Sequence, residues 1–253
     1  MVWFTASVMG SRVSFQFTGF IFFSTLASYS VHWYLTDAAT GSTDKRTSWL
    51  SANKQVHLVF FILSAVGSTA FLLAELKNFL WILPAVLLTL MYSAPKAPLP
   101  FLQNLEQYIC GKTFLLAAMW AYVTVALPTL AEGVKWQQQD WIFLANRFAL
   151  IFAICILFDM RDAEHDRSKG IKSLVTLLKK NHVKTVFTIS IVAGILSALF
   201  FSQDVWLNAI LMLPSFLTYF LYNRSVNTTN DYLFYFILDG LLALSPVLYF
   251  LKM

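Results

Sequence analysis

The chain has 253 residues, of which 58% are hydrophobic and only 12% are charged, and its formal charge is +5. A soluble domain carries about twice that share of charged residues, so the composition excludes a soluble globular protein and also the disordered, coiled-coil and disulfide-rich classes. In such a chain a basic excess is typical of cytoplasmic loops rather than of nucleic-acid binding. We therefore interpret the chain as a polytopic membrane protein that lies in a lipid bilayer and binds no nucleic acid.

Eight segments are apolar and long enough to cross a bilayer as helices, which takes roughly 20 residues each. In chain order they are 13–35, 56–74, 78–93, 109–128, 141–158, 183–202, 205–222 and 231–251. We predict an all-α polytopic membrane helix bundle that forms a single domain over residues 1–253. The stretch 1–12 is predicted to be an interfacial stub or the remnant of a lost helix.

Basic residues predict the orientation of this bundle. With eight alternating spans, twelve Lys and Arg residues fall on one face and four on the other. The positive-inside rule therefore places the two longest loops, 36–55 and 159–182, in the cytoplasm and both chain ends outside. A cell inner (cytoplasmic) membrane fits this topology.

Acidic residues concentrate at the end of the fifth span, in the segment FDMRDAEHDRSKGIKSL, residues 158–174. Four of the thirteen acids lie within eight positions here: Asp159, Asp162, Glu164 and Asp166. If the helix continues, Asp159, Asp162 and Asp166 follow i, i+3, i+7 spacing and share one face, with the last two one turn apart. Mg²⁺ prefers one or two carboxylates together with water and phosphate oxygens, so the pattern favours a magnesium–diphosphate site.

The alternative is a solvated cytoplasmic loop whose acids are balanced by Arg161, Arg167, Lys169 and Lys172. Two observations favour a functional site. The acids begin at the membrane edge, where ionisable groups are costly and tend to be functional. Gly170 then provides a typical C-terminal stop for the helix.

The segment DMRDAEHDRSKGIKS resembles the second aspartate-rich motif of the UbiA superfamily of intramembrane prenyltransferases. In that family a DxxxD pair precedes a Gly-Ile-Lys-Ser or Gly-Xaa-Arg-Thr element. Asp162 and Asp166 match the pair, and Lys172 matches the basic residue after the glycine. The segment Tyr92-Ser93-Ala94-Pro95-Lys96 is similar to the family's Tyr-Xaa-Xaa-Xaa-Lys segment.

The resemblance implies nine helices around a central cavity, with aspartates that hold Mg²⁺ and a polyprenyl diphosphate at the cytoplasmic mouth. The prenyl tail would lie in an apolar channel, and departure of the diphosphate would leave an allylic cation for a hydrophobic acceptor. On this reading Asp162 and Asp166 are the catalytic residues and metal ligands, and Asp159 is a further ligand. The implied diphosphate contacts are Lys172, Lys96, Tyr92 and Arg161. The family's commonest acceptor is an aromatic ring, as in quinone biosynthesis, but nothing in this sequence selects an acceptor.

Two departures from the family pattern stand out. Its first motif, NDxxDxxxD, falls on a stretch where the Asn becomes Ser30 and the later aspartates become Tyr34 and Ala38; Asp37 is one position out of register, and His32 is a poor Mg²⁺ ligand. The alignment also leaves the family's first helix missing. Either the chain is naturally shortened or its true start lies upstream.

These departures motivate a second hypothesis, a non-catalytic relative that binds an isoprenoid or partners another membrane protein. A small transporter is a third, but it predicts paired broken helices in repeated halves, and the sequence has no such repeat. Arg147, deep in the fifth span, is expected to line a polar cavity or to pair with a carboxylate such as Asp239.

Overall fold

The computed structural model describes residues 1–35, 49, 52–93, 111–133, 135–168 and 172–252. Within these ranges the regular structure is entirely helical. The helices are α1 (Val2–Val8), α2 (Phe15–Leu35), α3 (Lys54–Ala74), α4 (Phe79–Ser93), α5 (Lys112–Ala131), α6 (Gln138–Ser168), α7 (Leu174–Leu177), α8 (Lys180–Leu199), α9 (Val205–Val226) and α10 (Tyr232–Lys252). Two π-helical segments interrupt this pattern, Tyr122–Ala126 within α5 and Tyr232–Leu238 at the start of α10.

Every predicted apolar segment coincides with a helix, and the all-α membrane bundle is confirmed. Six helices in the described ranges are long and apolar enough to cross a membrane: α3, α5, α6, α8, α9 and α10. The prediction of eight spans exceeds this number for two reasons. The apolar helix that overlaps α4, Leu76–Tyr92, is shorter than the roughly 20 residues that a span needs, and α2, although 21 residues long, is interrupted by polar side chains such as Gln16, Ser24 and His32.

The chain divides into two compact units, one comprising Met1–Ser11 with Ile109–Met253 and the other Arg12–Tyr108. In the first unit α6 is the central helix. Its Leu150, Ile154 and Leu157 are almost completely buried and belong to a cluster with Phe187 of α8 and Phe234 of α10. This apolar packing fixes the position of α6 and therefore of the acidic residues on its last turns.

The second unit is built on the α2–α3 hairpin, in which a phenylalanine of each helix packs over a glycine of the other. Phe71 lies over Gly19, and Phe23 lies over Gly67. Small residues of this kind allow close approach of membrane helices, and polar groups add interhelical hydrogen bonds; here the Ser24 and Ser68 hydroxyls lie 2.6 Å apart. The outer face of α3 is apolar and exposed, which a bilayer accommodates.

Candidate functional site

The longest helix carries the acidic motif on its last turns. α6 runs without interruption for 31 residues from Gln138 to Ser168, so it is about 45 Å long. The hydrocarbon core of a bilayer is only about 30 Å thick, and the helix is therefore long enough for its last turns to reach beyond it. The first part of the predicted loop 159–182 is therefore helical, and the condition under which the three aspartates share one face is met, because all of Asp159–Asp166 is helical.

Two of the aspartates meet at a lysine from the neighbouring helix. Asp159 and Asp166 are buried, and the Lys112 ammonium at the start of α5 lies 3.9 Å from Asp159 Oδ1 and 3.6 Å from Asp166 Oδ2. Thr113 Oγ1 donates a hydrogen bond to Asp159 Oδ2. Seven residues advance an α-helix by almost two full turns, so the two carboxylates stand within about 20° of each other around the axis. One cation thereby bridges two buried carboxylates.

The third aspartate pairs with its own neighbour in the sequence. Arg161 Nε and Nη2 donate to the two oxygens of Asp162 at 2.7 and 3.2 Å, a forked geometry that suits guanidinium and carboxylate. Nη2 also donates to Tyr235 Oη at 2.7 Å, and Nη1 lies 3.7 Å from Asp231 Oδ1. The guanidinium carbon is 4.8 Å from the ring centres of both Phe234 and Tyr235. These contacts join Arg161 of α6 to the start of α10.

Together, Lys112, Asp159, Arg161, Asp162 and Asp166 form what we call the aspartate–cation cluster. The three aspartates lie on one side of the helix, as predicted, but they do not share one partner: Asp159 and Asp166 contact Lys112, whereas Asp162 pairs with Arg161. An advance of three residues leaves Asp162 about 60° away from Asp159 around the helix axis, and this offset directs it to Arg161 rather than to Lys112. The side chain of Asp162 is also the most exposed of the three, at 36%.

The model of the UbiA prenyltransferase family matches residues 35–238. The match covers most of the chain and every residue of the aspartate–cation cluster. The chain belongs to the UbiA prenyltransferase family. No curated protein and no solved structure matches it. Together with the six apolar helices, the family assignment identifies an integral membrane protein.

The UbiA match begins at residue 35, so α2, where the family's first aspartate motif is expected, lies almost wholly ahead of it. Ser30 is buried there, and the His32 ring stacks on Tyr92 with centroids 5.4 Å apart and an interplanar angle of 14°. Asp37 and Ala38 lie outside the described residues, as does Lys96. The predicted diphosphate contact Tyr92 is thus packed against α2 within the second unit.

Lys172, the basic residue after the glycine of the UbiA motif, is exposed. It precedes a tightly capped turn, because Ser173 and Thr176 exchange hydrogen bonds at the start of α7. Arg167 Nη2 donates to the Val175 carbonyl oxygen at 3.3 Å and ties this turn to the end of α6. Residues 169–171 between them, including Gly170, lie outside the described residues.

Sequence reasoning missed several residues of this candidate site, among them Lys112, Thr113 and Tyr235. Lys112 had a detectable signal, since an ionisable residue at the end of an apolar span is a functional candidate. Thr113 and Tyr235 carried none, because their roles depend on which helices pack together.

Arg147 has different contacts from those that the sequence led us to expect. Its side chain is 1% exposed and lies over the rings of Phe4 and Phe143, with the guanidinium carbon 5.1 and 5.6 Å from their centres. Arg147 Nη1 donates to Ser245 Oγ at 3.4 Å. Its described contacts therefore join α1, α6 and α10, and they do not include Asp239.

Proposed function

We propose that this UbiA family member is an intramembrane prenyltransferase that moves a polyprenyl group from its diphosphate to a hydrophobic acceptor. The observation that carries the proposal is the aspartate–cation cluster at the end of α6. Its Asp159 and Asp166 are buried at the boundary of the apolar span, where charged groups are expensive and tend to serve a function. We place this end of α6 on the cytoplasmic side, as the distribution of basic residues predicts.

The chain's own residues have distinct parts in this reaction. Heterolysis of the C1–O bond of the donor releases diphosphate and leaves an allylic cation; the acceptor's nucleophile then bonds to C1, and the acceptor loses a proton. Lys112 and Lys172 supply positive charge to the departing diphosphate as compact point charges, and Lys96 stays a proposed contact on the family resemblance alone. The apolar spans exclude water, which protects the cation from hydrolysis.

Arg161 has a different part from the predicted diphosphate contact. Its guanidinium is engaged by Asp162 and Tyr235 and is stacked among aromatic rings. We therefore assign it to the positioning of Asp162. Tyr92 stays a proposed diphosphate contact, on the family resemblance alone.

The carboxylates of the cluster fit Mg²⁺ in donor chemistry. Asp166 Oδ2 is buried and has the Lys112 ammonium 3.6 Å away but no hydrogen-bond partner among the described residues, and the Asp162 side chain is 36% exposed. No three Asp, Glu, His or Cys side chains in the described ranges converge on a metal position, so Asp162 and Asp166, supported by Asp159, would share the ion with phosphate oxygens and water, as Mg²⁺ prefers. When bound, the metal neutralises charge on the leaving diphosphate.

The first experiment measures binding of geranylgeranyl diphosphate to the detergent-purified protein, with and without Mg²⁺. We expect Asp162→Asn and Asp166→Asn each to weaken the Mg²⁺-dependent binding about tenfold or more, since each removes a charge-assisted contact. Glu164→Gln is the matched control, because Glu164 lies in the same helical turn but is exposed. Release of diphosphate upon addition of a membrane lipid extract then tests transfer. Equal binding by all variants would contradict the assignment of the site.

The second candidate is a non-catalytic isoprenoid-binding relative. The specific observation in its favour is the α2 segment, where Ser30 is buried and His32 is stacked on Tyr92 in the stretch expected to bear the first aspartate motif. This candidate predicts Mg²⁺-dependent binding of the donor with no release of diphosphate from any lipid fraction.

A further inference from the structure

The Lys112 ammonium contacts carboxylate oxygens of Asp159 and Asp166. A metal ion bound to these two residues would compete with the ammonium for the same oxygens. The ammonium lies within 4 Å of a carboxylate oxygen of each residue, 3.9 Å for Asp159 and 3.6 Å for Asp166. The two carboxylate side chains are only 6% and 3% exposed. Unpaired buried carboxylates are strongly unfavourable, so the ammonium supplies the counter-charge that the pair requires in the protein without ligands.

The geometry of Lys112 differs from that of the other cation of the cluster. The Arg161 side chain is 10% exposed, forked on Asp162 and enclosed by rings. The Lys112 side chain is 34% exposed, and its two contacts are longer than an ordinary hydrogen bond. A flexible lysine stem with a partly accessible ammonium is able to change partners, whereas the guanidinium is fixed.

We propose that Lys112 is a tethered cation that occupies the Asp159–Asp166 pair in the absence of donor, keeps free divalent metal out, and moves to the diphosphate when the donor binds. The aspartate pair is then released to the metal that accompanies the diphosphate. The inference rests on the proposed function, in which these aspartates are the metal–diphosphate site. It adds that metal and donor bind cooperatively because a lysine of this chain competes with the metal.

The test is a titration with Mn²⁺ alone, followed by the electron paramagnetic resonance signal of free Mn²⁺. We expect Lys112→Met to bind Mn²⁺ about tenfold more tightly than the wild type or better, because close charge pairs are coupled by about 1.5 kcal/mol or more. Lys180→Met is the control, since Lys180 is an exposed lysine at the start of α8 and its loss changes the net charge equally. We expect Mn²⁺ affinity in this control to match the wild type.

A second pair of variants guards against a folding defect in Lys112→Met. Asp159→Asn and the double variant Asp159→Asn/Lys112→Met differ only at Lys112. The double variant leaves one buried carboxylate without its lysine, whereas Lys112→Met alone leaves two. We expect the double variant to bind Mn²⁺ more tightly than Asp159→Asn. In addition, the difference in Mn²⁺ affinity between the wild type and Lys112→Met should disappear when geranylgeranyl thiodiphosphate, a slowly reacting donor, is present. The lysine of the wild type is then bound to the diphosphate and no longer competes with the metal.

The outcomes separate the two proposals. Equal Mn²⁺ affinity in wild type and Lys112→Met contradicts the tethered cation while leaving the metal–diphosphate site intact. A difference in affinity that persists unchanged with the thiodiphosphate contradicts the movement of Lys112 to the donor. If no variant binds Mn²⁺ even with the thiodiphosphate, both the metal site of the proposed function and this inference are wrong.

Discussion

Replacement of Gly67 by alanine tests the packing that joins α2 to α3. Both helices carry a Gly-Xaa-Xaa-Xaa-Phe pattern, Gly19 to Phe23 and Gly67 to Phe71. A Cβ on Gly67 would lie 2.8 Å from Phe23 Cδ1, and a Cβ on Gly19 would lie 2.8 Å from Phe71 Cζ. The two rings stack on each other with centroids 5.7 Å apart, so neither ring can withdraw without disturbing the other.

The size of the change in the free energy of unfolding follows from these distances. Non-bonded carbons are most stable about 3.5–4.0 Å apart, so the Phe23 ring must retreat by most of an ångström in Gly67→Ala. Overpacking of this kind costs about 1–3 kcal/mol, while alanine in place of a helical glycine gains about 0.5–1 kcal/mol. Gly240→Ala is the matched control in α10, because a Cβ there would meet nothing within 4 Å, and only the gain is expected.

The assay is unfolding in mixed micelles of mild detergent and dodecyl sulfate, followed by far-ultraviolet circular dichroism. We expect the free energy of unfolding of Gly67→Ala to fall below that of Gly240→Ala by about 1–3 kcal/mol. In a Phe23→Leu background the penalty at Gly67 should shrink, since contacting residues are coupled in double-mutant cycles. Equal stabilities of Gly67→Ala and Gly240→Ala would refute the argument, as would strict additivity with Phe23→Leu.

Two further predictions concern the first unit. Gly194→Ala should destabilise the protein in the same unfolding assay, because its Cβ would lie 2.9 Å from Ser215 Oγ, and Ser215→Ala should restore most of the loss. Arg161→Met should weaken the Mg²⁺-dependent part of geranylgeranyl diphosphate binding about tenfold, since Asp162 loses the fork that orients it. Arg161→Lys should restore little of the lost binding, because lysine cannot donate two parallel hydrogen bonds. Full restoration by Arg161→Lys would show that positioning by Arg161 is unimportant, and so would an unchanged metal dependence of binding in Arg161→Met.

The helices were predictable because an apolar segment of about 20 residues is enough to indicate a membrane helix. Each predicted apolar segment coincides with a helix, but α6 continues ten residues beyond the predicted end of its span at 158, as far as Ser168. The number of spans was less predictable, since α2 and α4 are intermediate in polarity or length. Hydropathy is a property of one segment, so it identifies a helix more securely than it decides whether that helix crosses the membrane.

The site was predictable only in its residue types. Periodicity placed Asp159 and Asp166 on one face, and both indeed contact one cation. The identity of that cation was not accessible, because Lys112 lies on another helix and reaches the pair only through the packing of α5 on α6. Asp162 was expected to converge with Asp166, which is about 40° away around the helix, but it has a closer partner in Arg161.

The charges of the site explain why metal and donor should depend on each other. Among the described residues, four carboxylates, those of Asp159, Asp162, Asp166 and Asp231, form ion pairs with Lys112 and Arg161. A diphosphate adds further negative charge to a region where water is scarce and charge interactions are strong. Under the proposed function, additional positive charge would arrive with the donor, from a divalent ion and from exposed lysines of the adjacent loop such as Lys172. In the proposal made above, Lys112 serves either the carboxylates or the diphosphate, and this competition would couple the binding of the two ligands.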